Sequence, residues 1–388
     1  MDFELTPEQE TLRRTVVQAC DAFDDDYWSE RDRDARFPEE FYTAMAECGV
    51  LGIAMPTEYG GTGAGIIEAS LVMHAIANSS GGQSAASAVH INIFGPHPIV
   101  RFGTEEQRQR FLPDLIEGRV KTCFGVTEPN AGLDTTSITT RAERDGDVYR
   151  VNGRKIWTST AQEAGKILLL ARTTPKEECE RRTDGLSLFY TDFDRNHIEA
   201  HVIPKMGRAA VDTNEVFIDD LPVPREDLIG EEGKGFGYLL HSLNPERILI
   251  GIEAVGIGQN ALSRAADYAR ERVVFGRPIG QNQGIQHPLA ECWMELEAAY
   301  LMCLSAASLY EKGKPCGPQA NAAKYLGAEA GFKACTQAVM THGGMGYAKE
   351  FVVERLLREI IIARIAPVSP QLILCNVAEK ALGLPKSY

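Results

Sequence analysis

Through the first 120 residues apolar positions recur at intervals of three and four, and helix-start signals punctuate them. "TPEQETLRRTVVQACDAF" places Thr6 as a cap, Pro7 at the first helical position and Gln9 where it completes a capping box. "PEEFYTAMAECGV" and "IIEASLVMHAIANSS" keep the helical spacing, and "TEEQRQRFLPDLIEG" opens on another Thr cap with acids in its first turn. From about Lys121 the texture changes. "GDVYRVNGRKIWTST", "AGKILLLART", "GLSLFYTDF" and "NEVFIDDLPVP" are short runs rich in β-branched and aromatic residues, separated by Gly, Asp and Asn as in hairpins. After "EGKGFGY" the helical period returns, with breaks near 280–283, 312–318 and 343–347 that leave about four long helices. The pattern predicts an α+β chain: an N-terminal helical domain (1–120), a middle antiparallel β domain (121–233) and a C-terminal four-helix bundle (234–388).

Within the last region, "NPERILIGIEAVGIG" (244–258) is apolar from Ile248 to Gly258 apart from one acid, Glu253, and a second acid, Glu246, stands just before that run. Its tail, "GIGQNA", matches the G-x-G-x-x-A dinucleotide fingerprint, which needs a strand, a tight turn and then a helix. Here Ile248, Ile252, Val255, Gln259, Leu262, Ala266 and Ala269 continue one helical period through both glycines, so one long helix is expected, with glycines that admit a closely packed neighbour. Seven residues apart, Glu246 and Glu253 share nearly one face, roughly 10 Å from each other. Periodicity leaves two readings open. Glu246 is a first-turn acid favoured by the helix dipole, with Glu253 salt-bridged to another helix; or one of them is a desolvated carboxylate poised as a base.

The 388 residues are 44% hydrophobic and 24% charged, the balance of a soluble globular chain long enough for two or three domains. A net charge of −14 without a dense Lys/Arg cluster speaks against nucleic acid and anionic membranes as partners. Nine scattered cysteines with no CxxC fit reduced thiols better than a disulfide framework or a metal site. The acidic "MDFELTPEQETLRR" start is no secretory signal, and no apolar run spans a bilayer, so a cytoplasmic enzyme is expected.

Two stretches of the β domain, "CFGVTEPNAGLDTTS" (123–137) and "VNGRKIWTST" (151–160), resemble the acyl-CoA dehydrogenase family of flavoproteins. The resemblance implies that both lie against the isoalloxazine of FAD, with Phe124, Val126 and Thr127 along its edge, Trp157 over one face and Ser159 near N5. An indole suits a flat heteroaromatic ring, and hydroxyls and N–H groups tune its electron affinity. "RERVVFGRPIG" (270–280), followed by Gln283, is similar to the family segment that reaches FAD in a neighbouring subunit. It implies Arg272 at the pyrophosphate and Phe275 on the adenine side. "MTHGGMGYAKEFVVERLLRE" (340–359) resembles the family's glycine turn, where Gly343 and Gly344 let backbone approach the dinucleotide. A homo-oligomer, a dimer of dimers, follows from the resemblance.

Three positions depart from the family pattern. Leu133 stands where Ser is usual in A-G-S-D, near flavin and thioester, and Met340 replaces a usual Gln on the adenine side. The third is Pro367, in "RIAPVSPQL", at the position where many members carry the Glu that removes the α-proton; Ser369 and Gln371 still match flavin-contacting positions. A second branch carries that Glu on the helix beginning E-R, and Glu246 falls there, with Glu253 in reserve. The resemblance thus implies an FAD-dependent oxidoreductase that converts an acyl-CoA to the trans-2-enoyl-CoA. In it Glu246 takes the α-proton as the β-hydrogen leaves as hydride. Asn244 and Arg247 lie beside thioester and pantetheine, and an electron-transfer flavoprotein takes the electrons. The alternatives on the same scaffold are a flavin oxidase, an enoyl-CoA reductase, or a non-catalytic CoA- or partner-binding protein.

Overall fold

The structure, a computed structural model, describes residues 4–387. Its N-terminal region holds α1 (Pro7–Cys20), α2 (Asp25–Asp34), α3 (Glu39–Glu47), α4 (Ile66–Ala77), α5 (Gly82–Phe94), α6 (His97–Phe102) and α7 (Glu105–Ile116). Thr6 and Thr104 each accept the backbone N–H three residues on, and Gln9 and Gln107 return the bond, as the capping-box pattern predicts. Nearly every residue of α4 and α5 is buried, so neither helix needs a polar face.

The middle region is an eight-stranded sheet of β1 (Thr122–Gly125), β2 (Arg141–Asp145), β3 (Val148–Ser159), β4 (Lys166–Arg172), β5 (Leu186–Asp192), β6 (Ile198–Val202), β7 (Thr213–Pro224) and β8 (Leu228–Ile229). The order is β6-β7-β3-β2-β4-β5-β8, with β1 alongside β4. Most pairings are antiparallel, but β1–β4 and β2–β4 run parallel, which hairpin spacing in the sequence does not reveal. The ladder between β3 and β7 shifts register between Lys155 and Thr158. The irregularity sits at Trp157, whose φ of 61° turns a bulky side chain into the left-handed region.

The C-terminal region opens with α8 (Gly235–Glu271), the 37-residue axis of the main core. A small hairpin, β9 (Val273–Val274) with β10 (Arg277–Pro278), leads into α9 (Gln283–Glu311), α10 (Gly317–His342), α11 (Val353–Ile365) and α12 (Pro370–Leu382). The "GIGQNA" glycines lie inside α8, as the unbroken period requires. A Cβ on Gly251 would stand 2.7 Å from the Ala323 carbonyl oxygen of α10, and one on Gly258 would stand 2.8 Å from Gly331. Only glycine permits that approach. The start of the helix differs from expectation: α8 begins eleven residues before Glu246, with Pro245 inside it. The dipole of a first turn therefore does not act on Glu246. All nine cysteines are unpaired, and among the described residues no single helix is long and apolar enough to cross a membrane.

Candidate active site

Helical spacing brings Ser242, Glu246, Leu249 and Glu253 onto one face of α8, toward α5. The two acids meet opposite surroundings. Glu253 is fully buried and fully engaged: Gln83 Nε2 donates to one oxygen at 2.9 Å, and His90 Nδ1 lies 2.5 Å from the other. Burial alone would lower the His90 pKa, but the charge and hydrogen bond of Glu253 outweigh it and raise it, so the pair is an ion pair. Glu246 has no hydrogen-bond or ion-pair partner among the described residues. Burial pushes its pKa up to about 7, with His90 and Arg247 pulling the other way.

The chemistry around these acids is under-satisfied. Ser242 Oγ, Gln83 Oε1 and Arg247 Nε are buried without partners, although Arg247 Nη1 donates to Asn244 Oδ1 at 3.1 Å. Orphaned polar atoms that gather beside an unpartnered carboxylate suit a place where another molecule completes the bonding. Sequence reasoning missed Gln83, Ser87 and His90. Their i, i+4, i+7 spacing on an apolar helix was the available signal. The His90 ring packs on Phe94 (4.6 Å), and Phe94 packs edge-on to Phe124 of β1 (5.7 Å), tying the α5 face to the first strand motif. A cavity of about 160 Å³ opens on the far side of Phe94, bounded by Pro245 and Leu249 of α8.

The two strand motifs come together as a unit. Ile156 N–H donates to the Thr127 carbonyl at 2.9 Å, so "GVTEP" lies beside "KIWTS". Beneath them Lys155 Nζ, fully buried, donates to Glu128 (2.9 Å) and to the Val126 carbonyl (3.2 Å). Glu128 also accepts Thr139 N–H, Thr139 Oγ1 and Thr140 N–H. Burial would raise its pKa, but Lys155 and these donors hold it down at about 2. On the surface above, Trp157 leaves an exposed indole (58%), with Ser159 Oγ 3.5 Å from Thr213 Oγ1. Leu133 is exposed on the loop after "TEPNAG". Ser369 caps α12 by accepting Leu372 N–H at 3.3 Å; Gln371 follows in the first turn, and Pro367 precedes in the turn after α11.

The remaining expected residues form a second group. Arg272 precedes the hairpin at the far end of α8, the fully exposed Phe275 lies in its turn, and Gln283 begins α9. Met340 (69% exposed) ends α10 just before Gly343 and Gly344, where an added Cβ would meet nothing within 4 Å. Tyr268 stacked on His342 (4.2 Å) holds this group together. Twenty-six residues of helix, roughly 40 Å, separate Arg272 from Glu246.

The chain belongs to the acyl-CoA dehydrogenase family: it matches that family's N-terminal domain over residues 6–119, its middle domain over 123–221 and its C-terminal domain over 233–372. Such enzymes are flavoprotein oxidoreductases that use FAD. The acyl-CoA dehydrogenase FadE12 of Mycobacterium tuberculosis is 37% identical over 98% of this chain and 97% of its own length. An acryloyl-CoA reductase (NADH) of Anaerotignum propionicum is 34% identical over 94% and 92%. The structure of butyryl-CoA dehydrogenase from Megasphaera elsdenii superposes with a TM-score of 0.93 at 30% identity, covering 99% of this chain and 100% of that one.

Proposed function

We propose that this acyl-CoA dehydrogenase belongs to the branch whose base stands on α8, and that Glu246 takes the α-proton of the acyl-CoA. The carrying observation is the contrast on one helix face: Glu246 lacks partners and has a pKa of about 7, whereas Glu253 is bound to His90 and Gln83. A carboxylate that is protonated and deprotonated near neutral pH is matched to proton abstraction. Pro367 has no acid to offer from the C-terminal segment. Arg247 and Asn244, one and two residues from Glu246 and bonded to each other, are our candidates to hold the thioester end of the substrate.

The residues present fit FAD. The exposed indole of Trp157, fixed by its left-handed backbone, offers a flat surface, and Phe124, Val126, Thr127 and Ser159 border it. Open space above Gly343 and Gly344 suits the backbone approach of a dinucleotide, with Arg272, Phe275, Gln283 and Met340 nearby; Ser369, Gln371 and Leu133 complete the flavin and thioester contacts. FAD supplies the acceptor for the β-hydrogen. Arg272, at the far end of α8 roughly 40 Å from Glu246, supports an FAD site that draws on two subunits, and a dimer of dimers is the assembly we infer. An electron-transfer flavoprotein is the proposed electron acceptor. The reductase relative keeps a second reading in play, the same chemistry run toward the saturated acyl-CoA.

Anaerobic mixing with a panel of acyl-CoAs tests the assignment. Flavin should bleach in the parent, and Glu246→Gln should slow bleaching at least about a hundredfold while Glu253→Gln is milder. The reverse ranking moves the base to Glu253. Bleaching by NADH with turnover of enoyl-CoA, and none by acyl-CoA, selects the reductase reading.

A further inference from the structure

Behind Glu246 lies a polar constellation that proton abstraction from a plain fatty acyl chain does not use. Arg208, held at a φ of 57° in the segment before β7, turns its guanidinium inward, and Nη1 donates to Ser87 Oγ on α5 at 2.9 Å. Among the described residues no carboxylate lies within ion-pair distance of it. Three acids act on it from a distance: Glu253, bonded to His90; Glu359, bonded to Arg355 and Ser84; and Asp212, which accepts from Gln162 N–H and Asn214. Ser87 is also within 3.4 Å of Gln83 Nε2, so Arg208, Ser87, Gln83, Glu253 and His90 form one connected cluster. Two ends of it are open. His90, 9% exposed, spends Nδ1 on Glu253 and has no partner for Nε2 among the described residues. Gln83 Oε1 is buried and unpartnered.

Arg208 is only partly exposed and makes no direct ion pair among the described residues, and an alkyl chain offers its guanidinium no acceptor. We propose that the acyl pocket is built for an acyl-CoA whose acyl group carries an oxygen function, carboxylate, oxo or hydroxyl, that accepts hydrogen bonds from Arg208 and from His90 Nε2. This rests on Glu246 as the base, since that fixes where the reacting carbons lie relative to α5. The position of the cluster follows from the helix: Glu253, bonded to His90, stands two turns along α8 from Glu246, so the oxygen sits about two helical turns from the base. A carboxylate gives Arg208 a direct ion-pair partner, which the surrounding acids do not. A hydroxyl also donates to Gln83 Oε1, which a carboxylate does not.

Binding of straight-chain, ω-carboxy-, oxo- and hydroxyacyl-CoAs of matched length to the FAD-loaded enzyme, measured by titration calorimetry, tests this without requiring turnover. At least one oxygenated class should bind about tenfold or more tightly than its straight-chain counterpart, the scale of one charge-assisted hydrogen bond. Arg208→Met should erase that preference and Arg208→Lys should keep part of it. Preference for the carboxylate identifies a dicarboxylic acyl group, and preference for hydroxyl or oxo a neutral one. Equal or tighter binding of the straight-chain ligand overturns the inference. So does a folded Arg208→Met enzyme that keeps the parent's preference, or one whose only defect is loss of FAD. If no ligand bleaches the flavin while the oxygenated preference persists, the base assignment fails and the pocket assignment stands.

Discussion

Glu128 and Glu246 are both carboxylates withdrawn from solvent at the edge of the same site, and their environments drive them in opposite directions. Glu128, under the β-sheet motif, receives Lys155 and three donors from Thr139 and Thr140, and stays ionised down to about pH 2. Glu246, on α8, receives nothing and titrates near 7. Both began as charges that burial penalises. The surrounding hydrogen bonds decide whether such a group fixes backbone or remains free to exchange a proton. Glu128 pins residues 126–140 beneath Trp157, so its work is to hold a surface still. Glu246 keeps its lone pairs free, as a group that must bind and release a proton does.

The largest effect that bears on this contrast is expected from Lys155→Met, which leaves Glu128 buried with its main counter-charge gone. Denaturant unfolding should show a loss of about 3–5 kcal/mol. Adding Glu128→Leu should recover much of it; no recovery would mean that the Lys155 stem, and not the ion pair, carries the stability. The sign with pH is fixed. Because the folded pKa of Glu128 is lowered, its contribution is full above the ordinary carboxylate range near 4.5 and fades as pH falls toward 2.

Next comes the pH profile of flavin reduction. With Glu246 as the proposed base, the active form is the deprotonated one, so the rate should climb through about pH 7 and be about a hundredfold lower two units below it. A profile flat from pH 5 to 8 would break the contrast, since Glu246 would then be held in its ionised form much like Glu128. Arg272→Ala, at the far end of α8, should cost a charge-assisted contact of about 1.5–3 kcal/mol and release FAD and loosen the oligomer together. A parent that runs as a monomer on gel filtration yet holds FAD counts against the two-subunit site. The smallest effect is expected from Thr139→Val. It removes one hydroxyl donor to Glu128 but leaves the backbone N–H, and should lower stability by about 1 kcal/mol.

Much of this was legible in the chain because it depends on local period. The run from Ile248 to Ala269 marks α8 and dismisses the dinucleotide fingerprint, since a strand and turn cannot carry a 3.6-residue repeat. The same period puts Glu246 and Glu253 on one face. Their partners were not legible: Gln83 and His90 lie more than 160 residues earlier, and only packing of α5 on α8 joins them. Asn244–Pro245 looks like a helix start, because proline is favoured there and lacks an N–H to donate. Burial of Leu239, Ser242 and Ile248 on either side carries the helix through it. The parallel pairings of the sheet and the inward turn of Arg208 are likewise long-range outcomes.

Gly251, Gly256 and Gly258 lock α8 like a keyed shaft. A Cβ on Gly256 would stand 2.7 Å from the His74 carbonyl oxygen, while Gly251 and Gly258 bear on α10 from another side. A cylinder wedged from two directions cannot roll about its own axis. Rolling by even one residue, about 100°, would swing Glu246 away from α5 and aim the Arg272 hairpin elsewhere at the same time. The Glu246 face at one end and the Arg272 hairpin at the other are thus phased by a single rigid rod, and a side chain at any of these three glycines would meet backbone or side-chain atoms closer than a Cβ tolerates.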